Sequence, residues 1–179
     1  MWLINSSIGR KVVMSVTGIA LILFLTFHMS MNIVALFSGE AYNMICEFLG
    51  ANWYAVVATV ALGALTVAHI VYAFILTAQN RSARGNERYA VTGSSPKVEW
   101  ASKNMLVLGI IVLLGMLLHL FNFWYNMMFA EIVGMHTQFH PADGFAYIKE
   151  TFANPVFVVL YIVWICAIWF HLSHGFWSA

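Results

Sequence analysis

Four long segments of this 179-residue chain contain no Asp, Glu, Lys or Arg: residues 12–39, 48–80, 104–130 and 151–179. Each is longer than the roughly 20 apolar residues that an α-helix needs to cross the hydrocarbon core of a bilayer. Charged residues make up 8% of the chain, against about 25% in soluble domains. The sequence therefore predicts an all-α membrane protein with one domain over residues 1–179, a transmembrane helix bundle with spans at about 12–38, 52–80, 104–129 and 154–179.

The charged residues predict how the chain is oriented. One side of the membrane, the basic side, receives the N-terminus and the connection between the second and third spans. It holds seven of the eight Lys and Arg residues: Arg10, Lys11, Arg81, Arg84, Arg88, Lys97 and Lys103. The acidic side holds Lys149 and most of the acidic residues, namely Glu40, Glu47, Glu131, Asp143 and Glu150. The positive-inside rule predicts that the N-terminus and the basic side are cytoplasmic.

Every predicted span contains a histidine, although an imidazole buried among alkyl chains needs a partner for its nitrogen atoms. Successive spans run in opposite directions and a helix rises about 1.5 Å per residue, so the depth of each histidine can be estimated. His28 and His119 fall at one level towards the acidic side, and we call them the outer pair. His69 and His171 fall towards the basic side and form the inner pair. The two levels are expected to differ by on the order of 10 Å.

Two histidines on two helices at one depth are what a bis-histidine haem requires, with one imidazole on each face of the porphyrin. The pattern therefore predicts iron coordination by both pairs. The chain has no CxxCH motif, which excludes covalent c-type attachment on motif grounds. Gly115 and Gly175 lie one turn from His119 and His171, where a small residue admits either a flat ring or a neighbouring helix.

The remaining candidate ligands are expected to have other roles. His174 follows His171 by one turn and is expected to hydrogen-bond locally. The HxxxH spacing of His136 and His140 suits a metal on a helix, but in a connection without further ligands we expect solvated side chains. The two cysteines are Cys46, expected in a connection, and Cys166, expected in a span, so no disulfide is predicted.

Four strings in the sequence carry a family resemblance. They are GRKVVMSVTGIALILFLTFHMSMN in the first span, AHIVYAFILTAQNRSAR leaving the second, LLHLFNFW in the third and HLSHGFW in the fourth. Over nearly its whole length the chain resembles the single-anchor, two-haem cytochrome b subunit of succinate dehydrogenase and fumarate reductase. The resemblance implies a distal haem on His28 and His119 and a proximal haem on His69 and His171. It also selects His171, with Gly175, over His174. The family normally has a fifth helix, and we expect that the sequence is truncated before it.

The resemblance implies that dicarboxylate chemistry takes place on partner subunits. A flavoprotein with FAD and an iron–sulfur protein are expected on the cytoplasmic face of a bacterial inner membrane. Electrons would pass through two b haems to a quinone of the respiratory chain, which the resemblance implies is menaquinone. Either succinate oxidation or fumarate reduction is compatible with this. Membrane lipid is a further expected partner and nucleic acid is not.

Two further sets of residues are candidates for contacts with these ligands. Ser15, Arg81 and Trp100 lie near the cytoplasmic ends of the spans and are candidate donors to haem propionates, although Arg81 is equally well explained as a positive-inside anchor. Glu40 or Glu47 is a candidate for proton exchange with the quinone.

Two other functions remain as alternatives. One is a di-haem cytochrome b of a hydrogenase or formate dehydrogenase. The other is a transporter or assembly factor whose histidines relay protons. The absence of Asp, Glu, Lys and Arg from the spans argues against a proton relay, since such pathways typically include acidic residues.

Overall fold

The computed structural model describes residues 6–84 and 100–178, and within them every regular element is helical. A 3₁₀ turn, Val34–Leu36, follows the α-helix that ends at Ile33, and a π-helix, Leu120–Phe129, follows the α-helix that ends at His119. The α-helices are α1 Ser7–Ile33, α2 Gly39–Phe48, α3 Trp53–Arg84, α4 Trp100–Lys103, α5 Met105–His119, α6 Ala130–Val133, α7 Gly144–Ala153 and α8 Pro155–Ser178.

Four helical segments are long and apolar enough to cross a membrane: Ile8–Leu36, Trp53–Ala83, Met105–Val133 and Pro155–Phe176. The predicted all-α membrane fold with four spans is thus confirmed, and the chain is a multi-pass membrane protein. The part of the connection between the second and third spans that contains Arg88 and Lys97 lies outside the described residues.

The first span begins earlier than the sequence predicted. The Ser6 hydroxyl accepts a hydrogen bond from the backbone N–H of Gly9 at 2.9 Å, which caps the first turn of α1. Arg10 and Lys11 therefore lie within the helix rather than ahead of it. Both remain at its basic end, where long cationic side chains can extend to the interface.

The four spans pack chiefly as two neighbouring pairs. The first span packs along the second, the third packs along the fourth, and the first also touches the fourth. The buried cluster is small and consists of Ala101, Leu108 and Ala167. Large apolar side chains such as Val60 and Trp169 face outward, as lipid-facing surfaces require.

The acidic side is covered by α2 and α7, which are held together by side-chain hydrogen bonds. The amide of Asn43 donates to Asp143 Oδ1 at 2.7 Å, and its oxygen accepts from the backbone N–H of Phe145 at 2.9 Å. Asp143 also caps α7 by accepting from the N–H of Ala146 at 3.1 Å. The connection between the third and fourth spans thus contains a short helix, α7.

Helix α2 was not predicted; it lies in the connection between the first two spans and carries Cys46. The Ser38 hydroxyl caps α2 by accepting from the N–H of Ala41 at 3.1 Å. Cys46 packs closely on Gly144 of α7, where a Cβ would lie 2.5 Å from its Sγ. Burial raises the pKa of the Cys46 thiol, and burial together with Cys46 raises the pKa of Tyr42.

Candidate functional site

The outer pair joins the first span to the third. His28 lies in α1 and His119 is the last residue of α5. Their ring centroids are 5.7 Å apart, and their planes are almost perpendicular, at 89°. Aromatic side chains surround the pair: Phe24 stacks on His28 at 5.5 Å, and Trp164 packs on His119 at 5.4 Å between centroids.

The inner pair joins the second span to the fourth. The rings of His69 in α3 and His171 in α8 have centroids 6.5 Å apart and planes at 68°. Each ring lies against a glycine of another span. A Cβ at Gly18 would lie 3.6 Å from Cε1 of His69, and one at Gly109 would lie 3.7 Å from Cε1 of His171. A Cβ at either position would make an ordinary van der Waals contact, so the helices carrying Gly18 and Gly109 pack at normal distance beside the inner imidazoles.

The distance between the two levels follows from these contacts. Gly18 is level with His69 and lies ten residues before His28, while Gly109 is level with His171 and lies ten residues before His119. Ten residues of helix correspond to about 15 Å. This length along the helix axis is somewhat greater than the separation of order 10 Å that was expected along the membrane normal.

The spacing of the rings in both pairs matches that of two imidazoles bound to one haem iron. An imidazole nitrogen binds a metal at about 2.0 Å, so two rings on opposite sides of one iron have centroids roughly 6 Å apart. The observed 5.7 and 6.5 Å lie on either side of that value. Among the described residues no cluster of three or more His, Cys, Asp or Glu side chains is present, but a haem needs only two protein ligands.

Unpartnered nitrogen atoms at both pairs are a second indication of a ligand. Nδ1 of His119 and Nδ1 of His171 are buried and lack a hydrogen-bond partner within the described part of the chain. Leaving such a group unsatisfied typically costs about 1–3 kcal/mol. A bond from the ring to a metal, or a hydrogen bond to a bound cofactor, would offset that cost.

His69 differs because its Nδ1 has a partner on another span. Nδ1 lies 3.1 Å from the hydroxyl oxygen of Thr17, which is only 4% exposed. The same hydroxyl lies 2.8 Å from the backbone oxygen of Val13 and 3.1 Å from that of Met14. One polar side chain of α1 therefore contacts the inner imidazole of α3 directly.

His28 of the outer pair is linked to the acidic-side cap. The Asn32 amide donates to the backbone oxygen of His28 at 2.8 Å and lies 3.4 Å from its Nε2. Asn32 Oδ1 in turn accepts from the hydroxyl of Tyr42 on α2 at 2.9 Å. These contacts connect the helix that covers the acidic side to the residue one turn beyond His28.

Gly115 accommodates a side chain of a neighbouring helix. A Cβ at this position would overlap the indole of Trp164, whose Nε1 donates to the backbone oxygen of Val112 at 2.9 Å. Of the two roles left open for this glycine, the structure shows helix packing. Near Gly175 the closest atom to a Cβ would be Cε of Met105, at 3.9 Å.

The third span changes helix type directly after His119. The π-helix Leu120–Phe129 has its i→i−5 geometry supported by Asn126, whose side chain donates to the backbone oxygen of Phe121 at 2.9 Å. Asn122 donates to the hydroxyl of Tyr161 at 3.3 Å. Such segments within transmembrane helices are frequent at functional sites.

The three candidate propionate donors lie at different depths. Ser15 is half-buried in α1, two residues before Thr17 and hence close to the level of the inner pair. Trp100 packs edge-on against Phe170, the neighbour of His171, at 5.4 Å between centroids. Arg81 is exposed and lies 12 residues beyond His69, about 18 Å along the helix axis. Ser15 and Trp100 are thus closer to the inner pair than Arg81.

The other titratable candidates lie away from the paired rings. His136 and His140 are exposed, and Nδ1 of His140 accepts from the N–H of Ala142 at 3.2 Å. Glu40 and Glu47 are exposed on α2.

Comparison with known proteins returned no matching family model, curated protein or solved structure.

Several residues of the site were missed from the sequence, although two of them carried a readable signal. The first span contains Gly18 and His28, and the third contains Gly109 and His119, with the same spacing of ten residues. Each glycine contacts the inner pair and each histidine belongs to the outer pair. Thr17 lies three helical turns before His28 and therefore on the same face of α1.

Proposed function

We propose that this protein is the haem b-containing membrane anchor of a succinate:quinone oxidoreductase or quinol:fumarate reductase. One observation carries the proposal: four of the five histidines in the spans lie as two facing pairs at two depths. A single intramembrane histidine is usually a packing residue, whereas two such pairs are what two bis-histidine haems require. The resemblance of the sequence to this family supports the identity of the enzyme.

The residues of the chain would hold two haems in fixed positions. His28 and His119 would ligate the distal haem, and His69 and His171 the proximal haem. Haem b supplies a low-spin one-electron carrier when both axial positions are occupied by imidazole. The apolar spans and the surrounding aromatic side chains exclude water from the ligands and so contribute to the potentials. Ser15 and Trp100, with Arg81 as a third candidate, would contact propionates.

The electrons and protons of the proposed overall reaction balance between the dicarboxylate and the quinone. Oxidation of succinate to fumarate on the flavoprotein releases two electrons and two protons. The same two electrons, passed one at a time through the iron–sulfur protein and the anchor, reduce a quinone to a quinol with uptake of two protons. Fumarate reduction is the reverse. Menaquinone is the proposed quinone, with Glu40 or Glu47 as candidates for proton exchange.

The charge distribution supports the proposed orientation, and the family resemblance supports the proposed membrane. We place the protein in a bacterial cytoplasmic membrane, with the N-terminus in the cytoplasm. The flavoprotein and the iron–sulfur protein would then bind the basic side, nearer to His69 and His171. Lipid surrounds the spans.

A difference spectrum of the purified protein tests the haem assignment. Reduced minus oxidised spectra should show a b-type α-band, and a pyridine haemochrome assay should give two haems per chain. The substitution His69→Ala should remove one haem and leave the other, and His119→Ala should remove the other one. His174→Ala is the matched control, one turn from His171, and should retain both. Absence of the α-band from wild-type protein made with sufficient haem would refute the proposal.

Partner binding tests the choice of enzyme. Affinity purification from mildly solubilised membranes should recover a protein with covalently bound flavin and an iron–sulfur protein. Recovery of a hydrogenase or formate dehydrogenase instead would favour the alternative di-haem cytochrome. Assay of the purified complex with menaquinone and ubiquinone analogues in both directions would then determine the substrate quinone.

A further inference from the structure

The Thr17 hydroxyl has three close polar neighbours but only one proton. Two of the neighbours, the backbone oxygens of Val13 and Met14, can only accept hydrogen bonds. The third is Nδ1 of His69, at 3.1 Å. The shortest of the three distances, 2.8 Å, is to Val13. Donation to this carbonyl uses the proton, as is common for threonine in transmembrane helices.

With that proton committed, the hydroxyl oxygen accepts from His69. Nδ1 of His69 then carries a hydrogen, and Nε2 of the same neutral ring is unprotonated. Only this tautomer presents a nitrogen lone pair to a metal on the Nε2 side. The opposite tautomer would place a hydrogen on Nε2 and block coordination there.

We propose that Thr17 is a positioning residue for the inner site, which holds His69 in the tautomer and orientation required to bind iron through Nε2. This inference rests on the proposed haem function and adds to it a residue on a span that supplies no inner ligand. Hydrogen-bond partners of metal-bound imidazoles orient the ring and raise its basicity. A more basic axial ligand stabilises ferric over ferrous iron, so the hydrogen bond to Thr17 lowers the reduction potential of the inner haem.

The test is a redox titration of haem-loaded Thr17→Val, which keeps the shape of the side chain and removes the acceptor. We expect the equilibrium between ferric and ferrous iron at the inner haem to shift tenfold towards the ferrous form. For a one-electron couple this is a positive shift of about 59 mV in the midpoint potential of the inner haem. The titration step that is missing in His69→Ala identifies the inner haem. The outer component should not move, and it reports whether the bundle is intact.

Two controls separate positioning from packing. Thr17→Ser retains the hydroxyl and should restore the wild-type potential. Thr26→Val removes a hydroxyl that makes the same type of backbone bond in α1, to Ile22 at 2.9 Å, without touching a histidine. It should leave both potentials unchanged. An unshifted inner potential in Thr17→Val, or an equal shift in either control, would overturn the proposal.

A folding defect in Thr17→Val can be distinguished from the loss of the hydrogen bond by a second substitution. If Thr17→Val lost both haems, Thr17→Cys would decide, because its thiol is a weaker acceptor of similar size. A positive shift of its inner potential supports the proposal, and an unchanged value overturns it. Wild-type protein without haem would refute the proposed function itself, and this inference with it. Two haems in the wild type with no shift in the variants would refute the role of Thr17 alone.

Discussion

Replacing Gly115 by alanine tests the packing around the outer pair. A Cβ at this position would overlap the Trp164 indole. The indole cannot move freely, because it donates to Val112 at 2.9 Å and packs on His119 at 5.4 Å between centroids. Overpacking a close contact costs about 1–3 kcal/mol, and losing the indole hydrogen bond costs about 1 kcal/mol more.

The matched control is Gly63→Ala, because a Cβ at Gly63 would have no atom within 4 Å. Both variants gain roughly 1 kcal/mol of helix propensity, so their difference isolates the overlap. We expect Gly115→Ala to be less stable than Gly63→Ala by about 2–4 kcal/mol.

The measurement is reversible unfolding in mixed micelles of increasing SDS fraction, followed by far-UV circular dichroism. Under the proposed haem function, Gly115→Ala should also weaken haem retention at the outer pair more than at the inner pair, because Trp164 packs on His119. Equal stability of the two variants would show that Trp164 is not held against α5, and would refute the argument.

Two further predictions concern the acidic side. Asn43→Ala removes the donor to Asp143 and the acceptor for Phe145, so α2 and α7 should separate more easily. Proteolysis of the connections next to these helices should become several-fold faster. An unchanged rate would contradict the hydrogen bonds described. Because burial raises the pKa of Cys46, its thiol stays neutral at pH 7, and the stability that its burial contributes is lost as pH rises from the ordinary thiol pKa through the raised value. In a Cys166→Ala background the rate of Cys46 alkylation should therefore rise only at strongly alkaline pH, and a midpoint at or below the ordinary value would be evidence against this burial.

The spans and the histidine pairs were predictable because both depend on one-dimensional quantities. Uncharged length predicts a span, and the helix rise converts sequence position to depth. His28 and His119 could thus be matched without knowing which helices are neighbours. The structure brings together the rings of both predicted pairs.

The details that were missed depend on contacts between helices. The role of Gly115 required knowing that Trp164 faces it. The π-helix is supported by a side-chain bond from Asn126 that no apolar periodicity reveals. Helix α2 was missed because its sequence is short and interrupted by carboxylates, although Ser38 before Gly39 is a typical N-cap.

The first two spans form one helical hairpin and the last two form another, since each packs mainly along its neighbour in sequence. Both histidine pairs cross from one hairpin to the other. A ligand that bridges a pair therefore stabilises the association of the two hairpins. The stabilisation is about 2.7 kcal/mol when the free ligand concentration is 100 times its Kd. Helices in bilayers generally insert before they associate, so we expect each hairpin to form before the two hairpins pack together. Under the proposed function, the yield of assembled bundle would then depend on the supply of haem during biosynthesis, and haem delivery would act as a checkpoint for assembly.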